Sequence, residues 1–147
     1  MPMETLLRST LGTGSVARRT ALIVFLLPLT VLIAIPAVLK AVGVDWLVEN
    51  MAELHYSVGV THAIGVFEVL LVPMLWYRRF RGLALLAILI LMAGGAGSHI
   101  AAGHELGRYA PNFVIGALVL GVFALDRGRG ALDFLVLPAN PAKTSEV

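Results

Sequence analysis

The chain has 147 residues, of which 59% are hydrophobic and only 14% are charged. Soluble domains carry about 25% charged residues, so this composition excludes an ordinary water-soluble domain and indicates an integral membrane protein. The sequence has no cysteine, which excludes disulfides, thiol catalysis and cysteine-ligated zinc or iron–sulfur clusters. The net charge is +2, and no basic patch interleaved with aromatic residues indicates a nucleic-acid partner.

Four apolar segments are long enough, or nearly so, to cross about 30 Å of hydrocarbon at about 1.5 Å per residue. They cover about residues 21–41, 57–76, 82–102 and 110–125. The sequence therefore predicts an all-α integral membrane four-helix bundle. Its domains are a cytoplasmic arm (1–19), the transmembrane domain (20–126) and a cytoplasmic tail (127–147). Pro28 and Pro36 predict a kink in the first span, which leaves room beside it.

The connections between the spans predict how the helices are arranged. Residues 77–81 and 103–109 are short linkers, so the second and third spans, and the third and fourth, should be antiparallel neighbours. The longer first connection, VDWLVENMAELHY, places Leu47, Met51 and Leu54 on one helical face. This pattern is typical of a short amphipathic helix in the outer interface, where it would act as a lid.

The basic residues predict the orientation of the chain. Nine of the eleven lie on one side of the predicted membrane, and only Lys40 and Arg108 lie on the other. The nine are Arg8, Arg18, Arg19, Arg78, Arg79, Arg81, Arg127, Arg129 and Lys143. By the positive-inside rule, the chain is a multi-pass protein of the cytoplasmic (inner) membrane with both termini in the cytoplasm. The lipid bilayer is its first expected partner.

Polar side chains within the spans are the candidate functional residues, because a charge there is costly unless it faces the bundle interior or water. Lys40, His62, His99 and Asn112 fall in the outer third of the four spans. Glu68 is deeper, roughly 16 Å from the outer end of its span, close to the midplane. Together they predict a polar cavity that opens outward.

Glu68 and His99 are the candidate catalytic residues, and five further residues are candidate ligand contacts. These are Lys40, His62, Gly65, Gly95 and Asn112. The two glycines precede Glu68 and His99 by about one helical turn and would allow close approach of a ligand. Glu68 cannot reach the interface, so it is either protonated or paired with His62, His99 or Lys40.

Purely structural roles for the same residues also stay open. Lys40 can extend to the outer headgroups, and His62 and Asn112 can join helices by hydrogen bonds. Small-residue stripes can serve helix packing alone. His62 and Glu68 are about 120° apart on their helix, so no metal site is predicted. A bis-histidine haem between His62 and His99 is geometrically conceivable, but nothing else supports it.

Short motifs in a fixed order make the chain similar to a known protein family. They are Lys40 to Gly43, Gly65 to Glu68, Met92 with His99, Gly103 and Glu105, and Pro111. Over about residues 20–126 the chain resembles the DoxX-like family of small four-helix membrane proteins. It lacks the usual arginine and glycine pattern near the start of the first helix, and His55, His62 and His104 lie outside the family pattern. The resemblance implies an accessory or catalytic membrane subunit, in some members linked to quinone-dependent thiosulfate oxidation and in others to oxidative-stress defence.

Three functions remain open on the sequence. The cavity could bind a small lipophilic ligand, with a quinone as the first candidate cofactor, the histidines donating to its oxygens and Glu68 relaying protons. The bundle could instead be a non-enzymatic anchor for a membrane or extracytoplasmic protein partner. Glu68 and His99 could also form an acid/base pair that isomerises a lipid-like substrate. Whether the chain is an enzyme or a homo-oligomer is left open.

Overall fold

The computed structural model describes residues 16–126, and no strand occurs between these limits. Five helices follow one another: α1 Val16–Val42, α2 Asp45–Glu53, α3 Val58–Trp76, α4 Arg78–Ala101 and α5 Leu106–Asp126. The tail expected at residues 127–147 and most of the arm expected at 1–19 lie outside the described residues.

The four long helices, α1, α3, α4 and α5, are each long and apolar enough to cross a membrane. The all-α membrane bundle predicted from the sequence is therefore confirmed. α3 packs against α4 and α4 against α5, as their short connections predict, while α1 packs against α3 and α5. The four helices thus form a closed ring in chain order.

The core of the bundle consists of leucine, isoleucine and valine side chains from all four helices. On α1 the buried residues Leu22, Leu26, Leu29 and Ile33 recur at helical spacing. The opposite face of α1 is also apolar, and Val24 and Ile35 are more than half exposed there. A helix that is apolar on all sides must be buried on all sides, and lipid can cover the outer face of α1.

The helices begin and end at positions that hydropathy did not predict. Tyr77 alone separates α3 from α4, and Arg78 to Arg81, which were expected in a linker, form the first turn of α4. α5 begins at Leu106, so Pro111 lies inside it and does not open it. These ends depend on backbone capping, which hydropathy does not register.

We call the end of the bundle that carries α2 the lid end. At this end α1 stops at Gly43, whose φ of +75° is a left-handed conformation that favours glycine. The amide of Val44 then donates to the Leu39 carbonyl at 3.0 Å. α2 follows with Leu47 and Met51 half-buried, as expected for an amphipathic lid.

We call the opposite end the arginine end, and it holds a polar cluster centred on Arg81. The Arg81 side chain is fully buried, its Nε donates to the Leu75 carbonyl at 2.7 Å, and its guanidinium contacts Asp126 at 3.1 Å. Arg81 therefore satisfies a free carbonyl at the end of α3 and links it to α5. The charge pattern of the sequence indicates only a topology role for Arg81 and does not predict this structural one.

Candidate functional site: a buried ion pair beside a cavity

Lys40 and Glu68 form an ion pair between α1 and α3. The Lys40 Nζ donates to both carboxylate oxygens of Glu68, at 2.7 and 2.6 Å. The side chains are only 14% and 5% exposed. An ammonium has three N–H groups, so one N–H of Lys40 remains for another acceptor after Glu68 has taken two.

Side-chain direction explains how a residue at the end of α1 reaches one in the middle of α3. Helical side chains lean toward the N-terminus of their own helix. Lys40 therefore leans away from the lid end, and Glu68, on the antiparallel α3, leans toward it. Of the partners considered for Glu68, Lys40 is the one it contacts, and the ammonium is not extended toward the headgroups.

Gly65 allows this pair to form, because α1 crosses α3 directly over it. A Cβ at position 65 would lie 2.5 Å from the Ala41 nitrogen and 2.7 Å from the Lys40 Cβ. Both distances are far below van der Waals contact, so only glycine fits here without separating the helices. Gly65 contacts the backbone of α1 in this arrangement and does not line the cavity described next.

The ion pair lies on the wall of a cavity of about 560 Å³ between α1 and α5. Ile33 and Pro36 line it from α1, Met92 from α4, and Asn112 and Ile115 from α5. We call it the inner cavity. Its volume falls within the range of about 300–1,000 Å³ that is typical of small-molecule sites. Apart from the ion pair and Asn112, its side chains are apolar.

Leu32 and Val114, which line the inner cavity, are exposed on the outer surface of the bundle. Leu32 of α1 is 41% exposed, and Val114 of α5 is 55% exposed. Both lie well within helices that are apolar enough to cross a membrane. The gap between α1 and α5 therefore faces the hydrocarbon of the bilayer, and a molecule dissolved in lipid could reach the ion pair through it.

Asn112 and Gly95 form a packing contact between α5 and α4. A Cβ on Gly95 would lie 3.1 Å from the Asn112 Nδ2, so the glycine provides the space for the amide. Asn112 lines the inner cavity, and within residues 16–126 its amide makes no hydrogen bond. Its N–H groups are therefore free to bind a ligand, whereas Gly95 acts by making room.

His62 lies outside the inner cavity, against the end of α1. Its Nδ1 is 3.1 Å from the Ala41 carbonyl oxygen, and its ring occupies the space where Gly43 would carry a Cβ, with Cε1 at 2.6 Å. The imidazole therefore binds one of the last carbonyls of α1 and packs beneath the turn to the lid. This contact agrees with the structural interpretation of His62, in which it joins two helices by a hydrogen bond.

His99 belongs to a second hollow, the outer cleft, of about 400 Å³ between α2 and the lid ends of α4 and α5. Its Nδ1 lies 2.9 Å from His104 Nδ1. Glu53 of the lid accepts from Arg108 and lies 4.0 Å from His104 Nε2. The outer cleft shares no lining residue with the inner cavity. Glu68 and His99 therefore do not meet around one substrate.

Most of the wall of the inner cavity has no signal in the sequence. Ile33, Met92 and Ile115 are ordinary apolar residues of a span, and nothing in the sequence separates them from core residues. Pro36 did give a signal, since the kink it predicted was expected to leave room beside α1. Between residues 16 and 126, no group of three or more histidine, aspartate and glutamate side chains could hold a metal ion.

The fold and the site define a small multi-pass membrane bundle with a buried ion pair beside a lipid-facing cavity. The sequence pattern of the DoxX-like family matches residues 24–122, which is more than half of the chain, and the protein belongs to that family. The matched segment includes Lys40, Glu68 and Asn112. Comparisons with curated proteins and with solved structures found no match.

Proposed function

We propose that this DoxX-like protein binds a small lipophilic molecule, a quinone, in the inner cavity, in a redox or oxidative-stress role. The observation that carries the proposal is the Lys40–Glu68 pair on the wall of a 560 Å³ cavity. A quinone would enter between Leu32 and Val114 and would supply reversible two-electron, two-proton chemistry when bound.

The energetics of a buried ion pair support a role in recognition. Removing two charges from water costs several kcal/mol per ion, and apolar residues of similar volume stabilise a fold at least as well. Within a membrane span the same cost makes an ionisable residue a functional candidate. The energetic cost of keeping this ion pair beside a cavity is therefore explained if the pair binds the polar part of a ligand.

The donors of the inner cavity suit a ring that carries carbonyl oxygens. The third N–H of Lys40 and the amide N–H groups of Asn112 can each donate to an oxygen of the ligand. Glu68 holds the ammonium in place. Ile33 and Ile115 can contact the faces of the ring, and the apolar tail can remain in the lipid. Lys40 and Asn112 thus take the donor role that the sequence analysis gave to the histidines.

A binding experiment tests the proposal. The purified protein in lipid nanodiscs is titrated with a short-chain benzoquinone, and we expect saturable binding. In the double variant Lys40→Met/Glu68→Met, affinity should fall at least about tenfold, because the ligand loses its charged donor. Glu53→Gln, on the lid helix and away from the inner cavity, is the control and should bind as the wild type does. Equal affinity in the double variant and the wild type would refute the proposal.

The second candidate function is a non-enzymatic anchor or accessory subunit for a partner protein. It is favoured by the fact that the ion pair joins α1 directly to α3, as an interhelical clamp would. In that case no quinone binds, and the double variant changes only stability. Altering residues 45–56 would then remove a partner from pull-downs. The isomerase hypothesis loses its support, because Glu68 and His99 line separate hollows.

A further inference from the structure

Two prolines face the inner cavity from opposite sides, Pro36 on α1 and Pro111 on α5. Proline has no N–H, so neither can form the helical hydrogen bond to the carbonyl four residues earlier. Those carbonyls belong to Leu32 and Gly107, and both of these residues also line the inner cavity. Residues four apart lie on the same helical face, so each carbonyl that loses its bond from proline is on the cavity side of its helix.

A backbone carbonyl without a donor is costly in a membrane, because no water is present in the hydrocarbon to replace the missing bond. Transmembrane helices with proline use neighbouring groups, such as serine or threonine hydroxyls, to replace it. Within residues 16–126 no side chain donates to the carbonyl of Leu32 or Gly107. A hydroxyl of a molecule in the cavity can supply the missing donor at Leu32, the deeper of the two.

We propose that the occupant is a lipophilic molecule whose polar head carries hydroxyl groups, and that the inner cavity binds a quinol more tightly than the corresponding quinone. This inference rests on the proposed function and specifies the ligand further. The wall offers both kinds of partner: donors on Lys40 and Asn112, and an acceptor on Leu32. A hydroxyl can accept from Lys40 and donate to the Leu32 carbonyl, whereas a quinone has acceptors only.

The test compares three probes of nearly the same shape: a short-chain benzoquinone, its hydroquinone and the dimethyl ether of that hydroquinone. Titrations are anaerobic, with the wild-type protein in nanodiscs. The hydroquinone should bind at least about tenfold more tightly than the other two, since only it can donate to the Leu32 carbonyl. Equal affinities for the hydroquinone and its ether would overturn the inference.

A proline variant tests which carbonyl is responsible. Pro36→Ala restores an N–H at position 36 that can bond to the Leu32 carbonyl within the helix, so the preference for hydroquinone should fall several-fold. Pro28→Ala is the matched control, because Pro28 lies in the same helix but does not line the inner cavity, and it should keep the wild-type preference. An unchanged preference in Pro36→Ala would rule out the Leu32 carbonyl as the acceptor.

The outcomes separate the two proposals. If none of the probes binds to the wild type, the proposed function fails and the inference fails with it. If the quinone and the hydroquinone bind equally well, the proposed function stands and the inference alone is wrong. The ether comparison uses the unaltered chain, so it decides the question even if the proline variants do not fold.

Discussion

Lys40 and Glu68 carry opposite charges in an apolar wall, where neither side chain could stay charged without the other. Each side chain is mostly buried, and the surrounding wall is apolar apart from Asn112. The attraction between them repays part of the desolvation cost of each, and the remaining N–H of Lys40 lets the pair contact a ligand without separating. If the pair binds a ligand as proposed, stability and recognition depend on the same two side chains, and substitutions must separate the two effects.

Replacing one partner of the pair should destabilise the bundle more than replacing both. Lys40→Met leaves Glu68 buried without a cation, and we expect a loss of about 3 kcal/mol in the free energy of unfolding. The double variant Lys40→Met/Glu68→Met removes both charges and should recover most of this loss. Unfolding titrations in mixed detergent measure the difference. A double variant as unstable as the sum of the single variants would show that the two residues are not coupled.

Gly65 allows a second prediction at the residue scale. Gly65→Ala adds a Cβ that would lie 2.5 Å from the Ala41 backbone nitrogen, so α1 must move away from α3, at a cost of about 1–3 kcal/mol. Gly59→Ala is the matched control, because position 59 of the same helix has nothing within 4 Å; alanine there should be neutral or stabilising. Thermal denaturation measures both variants. Equal midpoints for the two would contradict the close crossing.

The sequence identified the polar residues of the spans but did not predict how they pair. Lys40 and Glu68 stand out because charge is rare in hydrocarbon, yet depths counted along straight spans placed them at different levels. Their contact depends on side-chain direction and on the close crossing at Gly65. The partners of His62 and His99 are a helix-end carbonyl and a loop histidine. Neither position is encoded in the periodicity of a span.

At the scale of helices, hydropathy located the four spans, because a long apolar run has few structural interpretations other than a transmembrane helix. The ends of these helices were less predictable, since Gly43, Tyr77 and Arg81 act through backbone geometry and capping. The lid helix α2 was predicted from its amphipathic pattern. The attachment of the lid was not predicted, because Glu53 is distant in sequence from His104 and Arg108 and meets them only in the folded bundle.

The attachment of the lid gives a prediction for α2. Glu53→Gln removes the charge that contacts Arg108 and His104. Because the Glu53 and Arg108 side chains are about half exposed, the loss of stability should stay below about 1 kcal/mol. Amide hydrogen exchange in residues 45–53 should nevertheless become faster. Glu49→Gln is the control, since Glu49 is exposed on the same helix and forms no ion pair within residues 16–126. Identical exchange in both variants would show that Glu53 does not hold the lid.

At the scale of the whole molecule, the basic residues predict that the lid end faces outward and the arginine end faces the cytoplasm. The chain has no cysteine, so single cysteines can report this orientation without background. Ala102→Cys, at the lid end, should react with a membrane-impermeant maleimide on intact cells. Tyr77→Cys, at the arginine end, should react only after lysis. The reverse pattern of labelling would overturn the predicted orientation.

The central claim is that a lipophilic molecule enters the inner cavity between α1 and α5 and binds at the Lys40–Glu68 pair. Photo-crosslinking with an azido-benzoquinone in nanodiscs, followed by peptide mass spectrometry, tests it most directly. We expect saturable labelling of α1 and α5 around Leu32 and Val114, which unlabelled quinone displaces and which is lost in Lys40→Met/Glu68→Met. Labelling that is confined to the outer cleft, or spread over all lipid-facing helices without saturation, would contradict it.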